Sequence, residues 1–145
     1  MERLTVPGTL DSLEPIGKYV LAAANEAGLD RRAAYRLRLA VDELATNAII
    51  HGYQESSLNG MIDLWTDIDD KHLTIGMEDS GRPYDPIKTP PPQDLDEPLE
   101  DRRLGGLGIY LAKMGVTDLR YERVGNHNRT VFVVSRPPAS PTSNQ

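Results

Sequence analysis

Three short stretches of the chain hold the residues with the most chemical reach. In Val41-Asp42-Glu43-Leu44-Ala45-Thr46-Asn47-Ala48, Glu43 and Asn47 stand four apart. On a helix that spacing places them as neighbours on one face. A carboxylate there can accept a proton or orient a nucleophile. A neutral amide oxygen beside it can ligate Mg²⁺, a hard ion that prefers oxygen. The second stretch, Glu78-Asp79-Ser80-Gly81-Arg82-Pro83, ends an alternating apolar run. The Asp79 carboxylate can accept from an amine donor such as the exocyclic amine of adenine, and Gly81 lets a ligand come close to the backbone. The third, Gly105-Gly106-Leu107-Gly108, precedes a short helical pattern. Glycines there permit close approach, and a helix N-terminus offers free N–H groups to phosphate. Taken singly, each has a plain reading: a solvated helix face, an Asp-Ser-Gly turn, a flexible loop. No Gly-Lys-Ser/Thr follows the glycines and no strand directly precedes them, so the loop is neither a P-loop nor a dinucleotide fingerprint.

The elements that must position these residues are legible from periodicity. Arg3 to Val6 alternates weakly and reads as a short first strand. Asp11 or Ser12 is the candidate cap of a first helix, with Pro15 in its first turn. Ile16, Tyr19, Val20, Ala23 and Ala27 share one face of it, and Gly28 stops it. Asp30 is the next cap, and a long helix runs from about Arg31 to His51, ending at Gly52. Leu37, Val41, Leu44 and Ala48 make its apolar stripe, with Glu43 and Asn47 at the edge of that stripe and Asp42 turned to solvent. Met61 to Ile68 and Leu73 to Met77 alternate as strands around an Asp69-Asp70 turn. Val116 to Val124 and Arg129 to Val134 read as a closing hairpin around Gly125-Asn126-His127-Asn128. Helices first and strands after suggest an α+β two-layer sandwich, with helices on one face of a mixed, mostly antiparallel sheet.

Between these elements lies a proline-rich stretch carrying Pro83, Pro86, Pro90, Pro91, Pro92 and Pro98. Prolines remove backbone donors and break helices, so residues of about 82–105 read as a long loop, of the kind that often serves as a lid. Residues 1–136 form one domain, and 137–145, rich in Pro and Ser, read as a disordered tail. The 145 residues suit one core. With 39% hydrophobic and 26% charged residues the composition is that of a soluble globular protein. No apolar run approaches the roughly 20 residues of a membrane span, and no signal peptide is visible. The absence of cysteine excludes disulfides and thiolate chemistry and fits the cytoplasm. A net charge of −6 disfavours nucleic acid as a partner.

The order and spacing of the three motifs resemble the GHKL (Bergerat-fold) ATPase superfamily. Glu43 to Asn47 match its N box, Asp79 to Gly81 its G1 box, and Gly106 to Gly108 its G2 box. The run Thr46-Asn47-Ala48-Ile49-Ile50-His51-Gly52-Tyr53 is similar to the anti-sigma-factor serine kinases, and the likeness covers about residues 3–135. This resemblance implies ATP and Mg²⁺ as ligands. It makes Glu43 the general base, Asn47 the Mg²⁺ ligand and Asp79 the acceptor for the adenine amine. It packs Gly81 close by, has Gly106, Leu107 and Gly108 cradle the phosphates, and lets Thr130 hold adenine through water. Arg102 and Arg103 are further candidates for phosphate contact. Pro83 replaces the last glycine of many G1 boxes, a change also found in the anti-sigma branch. The closest match to that branch's partner-contacting arginine is Lys18, which lacks the bidentate geometry of arginine.

The activity so implied is transfer of the ATP γ-phosphoryl group to a serine of a small anti-anti-sigma (STAS-type) partner, with a sigma factor as the alternative partner. Members of the family often dimerise through the helical region and first strand, so a homodimer counts among the candidate assemblies. A second reading is a nucleotide-binding module that sequesters its partner without transferring phosphate. His51, His72, His127, Tyr53 and Trp65 read as structural or surface residues.

Overall fold

The computed structural model describes residues 1–83 and 116–138. The proline-rich stretch beyond Pro83, the Gly105–Gly108 loop and the tail after Pro138 lie outside the described residues. Strand β1 (Leu4–Pro7) leads through a 3₁₀ turn into helix α1 (Leu13–Glu26), followed by helix α2 (Arg31–Asn47). A π-helical turn (Ala48–Gln54) extends α2. Strands β2 (Met61–Ile68), β3 (His72–Asp79), β4 (Asp118–Val124) and β5 (His127–Ser135) complete the domain. The sheet has the order β1-β2-β3-β5-β4, and every pair is antiparallel. The two-layer α+β architecture expected from the sequence is therefore the observed one, with a wholly antiparallel sheet among the described strands.

The layers meet where the two periodicities meet. Ile16, Val20, Ala23 and Ala27 of the first helical segment and Leu37, Val41 and Leu44 of α2 are buried at helical spacing. They cover Ile62 and Leu64 of β2, Leu73, Ile75 and Met77 of β3, and Phe132 and Val134 of β5, which alternate inward. Asp30 caps α2 in extended conformation, its Oδ1 accepting from the Ala33 N–H at 2.8 Å. The β2–β3 turn is held by Asp69, whose Oδ1 accepts from Lys71 N and His72 N at 2.8 and 2.7 Å. His72 opens β3.

Two boundaries differ from the sequence reading. The closing hairpin turns on Gly125-Asn126 alone, with Gly125 at φ +60°, and His127 and Asn128 belong to β5. The second difference lies at the end of α2. A regular helix to His51 gives way after Asn47 to wider turns, shown by Glu55 N donating to Ile50 O at 2.8 Å and Leu58 N to Tyr53 O at 2.9 Å. The cause is Tyr53. Its ring is buried, and its hydroxyl donates to Met61 O at 2.7 Å and accepts from Ser80 N at 2.8 Å. Insertion of π turns into α-helices is frequent at functional sites. Here it brings the end of α2 onto the start of β2 and the end of β3. Tyr53→Phe removes the partner of the Met61 carbonyl and the Ser80 N–H, both part-buried hydrogen bonds, so it should lower stability by about 1 kcal/mol. The urea midpoint of the variant measures this.

Candidate functional site

Pairing register places the site. Asp79 of β3 lies opposite Asn128 of β5, and Asn128 lies opposite Arg123 of β4. One step further in, Met77 and Tyr121 flank Thr130 in the same way. Asp79, Asn128 and Thr130 are buried in phase with Phe132 and Val134, on the face turned to the helices. Above them stand Leu44, Ala48 and Gly52 of α2 and its π turn. The resulting cleft is lined by these three residues with Met77, Asp79, Arg82, Asn128 and Thr130. The apolar core of the sandwich thus opens, at one end, into a pocket with a carboxylate, an amide and a hydroxyl at its floor.

Asp79 is 4% exposed. Its Oδ1 accepts from Gly81 N and from Asn128 Nδ2, both at 2.9 Å. No donor among the described residues reaches Oδ2. Burial pushes this carboxyl above the usual range, while the Asn128 and Gly81 hydrogen bonds and the charges of Arg123 and His127 oppose the shift. The phenol of Tyr53 also faces this carboxylate, which raises its own pKa by charge repulsion, after the larger effect of burial. The Thr130 hydroxyl makes no side-chain hydrogen bond among the described residues and lies at the cleft.

Gly81 meets a close backbone neighbour. A Cβ on it would stand 2.8 Å from the Gly52 carbonyl oxygen and 2.9 Å from its carbon, and Arg82 N donates to that same carbonyl at 3.1 Å. Close approach at Gly81 is thus made to the π turn of α2. A Cβ on Gly52 would meet only ordinary contacts from 3.7 Å outward.

Glu43 and Asn47 border the cleft without lining it. They precede Leu44 and Ala48, so they lie about 100° around the helix from the lining residues. Asn47 is buried, and its Nδ2 is enclosed without a partner. Glu43 is half-buried, and burial, then the charge of Asp42, raises its carboxyl above the usual range. Asp42 departs from its sequence reading. It is half-buried rather than solvent-facing, pairs with Arg38 at 3.6 Å, and keeps Oδ1 enclosed without a partner. Its pKa is raised by burial against the opposing charge of Arg38. Among the described residues no cluster of three or more His, Cys, Asp or Glu side chains could hold a metal ion. Arg102, Arg103, Gly106, Leu107 and Gly108 lie outside the described residues. Lys18 is exposed and pairs with Glu14 at 3.4 Å.

Sequence reading missed Asn128, Tyr121 and Arg123. The signal available for Asn128 is its phase, an amide in step with Thr130, Phe132 and Val134. The four-residue turn placed across it hid that phase.

A buried carboxylate at a strand end, a glycine contact behind it and a Glu–Asn pair on the covering helix are the features of one class of nucleotide-binding domain. The histidine kinase-like ATPase domain family matches residues 6–134. Serine-protein kinase RsbW of Oceanobacillus iheyensis is 31% identical over 116 residues, 78% of this chain and 71% of that protein. Serine-protein kinase RsbW of Staphylococcus aureus is 29% identical over 111 residues, 74% and 70% of the two chains. Among solved structures, the RsbU and RsbW domains of Rv1364c from Mycobacterium tuberculosis align with TM-score 0.60 at 15% identity, over 95% of this chain and 34% of that one. The histidine kinase domain of the blue-light activated histidine kinase EL346 from Erythrobacter litoralis aligns with TM-score 0.53 at 21% identity, over 86% and 59%. These last two carry the fold. The chain belongs to the histidine kinase-like ATPase family and, within it, to the branch of the RsbW-type serine-protein kinases.

The Gly52–Gly81 contact gives a paired prediction. Gly81→Ala forces two backbones apart and should cost about 1–3 kcal/mol, as overpacking does. Gly52→Ala should leave the thermal midpoint within a few degrees of wild type, because its space is open and alanine favours helix. Calorimetric melting of both variants checks the contrast.

Proposed function

We propose that this protein is an anti-sigma factor with serine-protein kinase activity, which moves the γ-phosphoryl group of ATP to a serine of an anti-anti-sigma partner. The observation that carries the reading is Asp79, a buried carboxylate with one oxygen held by the protein and the other left for a ligand. An adenine amine supplies the donor that such an oxygen lacks. Gly81 and the hydroxyl of Thr130 complete the base-binding end, the latter through water.

Glu43 and Asn47 serve the transferring end. The amide oxygen of Asn47 is proposed as the one protein ligand of a Mg²⁺ ion that fills its shell from phosphates and water, as Mg²⁺ commonly does. The ion's contribution is neutralisation of phosphate charge. Glu43, with its carboxyl raised by burial, accepts the proton of the partner serine as the serine oxygen–phosphorus bond forms and the bond to ADP breaks. Gly106, Leu107 and Gly108 are proposed to bind the phosphates through backbone N–H groups, with Arg102 and Arg103 as additional contacts. The phosphate placed on the partner adds about −1.5 to −2 charges, enough to release it and free this protein for a sigma factor. The reaction belongs to the cytoplasm, and a homodimer is the proposed assembly.

Asp79→Asn tests the base site. Loss of a charged acceptor should weaken ATP about 10-fold or more by titration calorimetry. The variant should nonetheless unfold at no lower urea concentration than wild type at pH 7. A carboxyl raised in the folded state contributes stability that is present below its unfolded value and lost as pH rises through the folded one. For the same reason ATP affinity of the wild type should fall on acidification, beginning above the range of an ordinary aspartate. Unchanged ATP binding in Asp79→Asn would remove Asp79 from the base site.

A second pair of variants separates transfer from binding. Glu43→Gln should bind Mg-ATP nearly as well as wild type and transfer phosphate on the order of 10²-fold more slowly. Asn47→Ala should lose the Mg²⁺-dependent part of nucleotide affinity. Single-turnover transfer from labelled ATP to candidate anti-anti-sigma proteins reads both. Full transfer by Glu43→Gln would sink the base assignment. A wild type that binds ATP and partner yet transfers nothing would establish a sequestering module instead.

A further inference from the structure

We propose that Asn128 is a positioning residue that sets purine selectivity, by holding the Asp79 carboxylate as an acceptor aimed at the exocyclic amine of adenine. The inference rests on the reading of Asp79 as the adenine acceptor and adds the residue that makes it one.

The geometry around the Asn128 amide has one consistent assignment. Its nitrogen faces three acceptors: Asp79 Oδ1 at 2.9 Å, Arg82 O at 2.9 Å and Gly81 O at 3.4 Å. Its oxygen faces two donors, the Tyr121 hydroxyl at 2.5 Å and Arg123 Nη1 at 3.1 Å. Turning the amide over would set oxygen against three oxygens and NH₂ against a guanidinium, so the network itself fixes the orientation. Both amide protons are committed to protein acceptors. Asn128 therefore has no donor left for a ligand, although it lines the cleft. Its effect on a nucleotide must pass through Asp79.

Three consequences follow for Asp79. The carboxylate is locked in rotation, because Oδ1 is held from two sides by Asn128 and Gly81 N. Oδ2 alone is left without a protein donor among the described residues. The following backbone is held as well, since Asn128 binds the Arg82 carbonyl and Arg123 Nη1 donates to Gly81 O at 2.9 Å. A donated hydrogen bond from a neutral amide also favours the ionised form of a carboxylate in a buried setting. An ionised Asp79 accepts from the amine of adenine and repels the 6-oxo group of hypoxanthine or guanine. Without Asn128 the carboxyl is held by Gly81 N alone and takes up a proton more readily, and a protonated carboxyl can donate to that oxo group. Selectivity between the two kinds of purine is the property that should respond.

The test compares ATP with ITP, in which an oxo group replaces the exocyclic amine. Affinities are measured by calorimetry with Mg²⁺ on the full chain, for wild type, Asn128→Ala and Tyr121→Phe. Wild type should prefer ATP about 10-fold or more, the scale of a hydrogen bond to a charged group. In Asn128→Ala that ratio should fall to about 3-fold or less, through weaker ATP binding with ITP binding held within about 3-fold. Tyr121→Phe removes one of the two donors to the amide oxygen, leaving Arg123, without opening a cavity beside Asp79, and should lower the ratio part of the way. It serves also if Asn128→Ala does not fold. A wild type that prefers ATP, with variants that weaken both nucleotides equally or keep the full ratio, overturns the role of Asn128 and leaves the Asp79 reading standing. A wild type that binds ATP and ITP alike overturns both.

Discussion

A carboxylate taken out of water must be compensated where it lies, and the inner face of the sheet is arranged around that requirement at Asp79. The desolvation cost of an isolated buried charge is far larger than the stability of a small domain. Asp79 sits at the open end of the core, one step beyond Met77, and meets the amide of Asn128 and the N–H of Gly81. Arg123, on the neighbouring strand, adds a positive charge in the same row. The compensation is incomplete, since burial still dominates the shift of its carboxyl. That remainder is what a ligand's amine can use. A site fully satisfied by the protein would have little affinity left for a base.

The same constraint explains why α2 does not end as a plain helix. The carbonyl of Gly52 receives Arg82 N, and Gly81 packs against it without a side chain between. Tyr53, one residue on, joins the beginning of β2 to the end of β3 through its hydroxyl. A regular α-helix carries one orientation for each residue, and the wider turn re-aims both. The covering helix and the strand end that holds Asp79 are thereby tied at three points. Asn47 and Glu43, five and nine residues before Gly52, inherit their position from this junction. The proposed chemistry and the proposed base recognition share a single rigid element.

The two faces of the sheet show the difference between compensation and decoration. On the outer face Arg129 pairs with Glu78 at 3.2 Å and Glu122 at 3.0 Å, and Trp65 lies across Gly76, where any Cβ would collide with the indole. Ion pairs on this outer face contribute little to stability. On the inner face, hydrogen bonds of similar length lie in a buried setting, where losing a partner costs more. Asp79 and Asn128 differ from Glu78 and Arg129 by one place along their strands, and alternation alone separates the functional row from the surface row.

The sequence by itself determined the layers and much of the candidate site. Apolar spacing of three and four in the two helices, and of two in the strands, carries the α+β sandwich, because a core can be built only from faces that repeat with the geometry of their elements. The Glu43–Asn47 spacing and the Asp79-Ser80-Gly81 turn were legible for the same local reason, and their resemblance to a known set of motifs supplied the family. Tertiary structure decided what depends on neighbours distant in sequence. The π turn after Asn47 exists because Tyr53 finds partners at Met61 and Ser80, and no local pattern announces that. Asp42 is half-buried because of what packs around its helix, whereas helical phase alone turns it outward. Asn128 looks like a turn residue in the sequence, and it becomes the partner of Asp79 only when β5 takes its place beside β3, 49 residues away in the chain. Composition and periodicity report faces; which two polar groups meet on a buried face is settled by strand register, and register is a property of the assembled sheet.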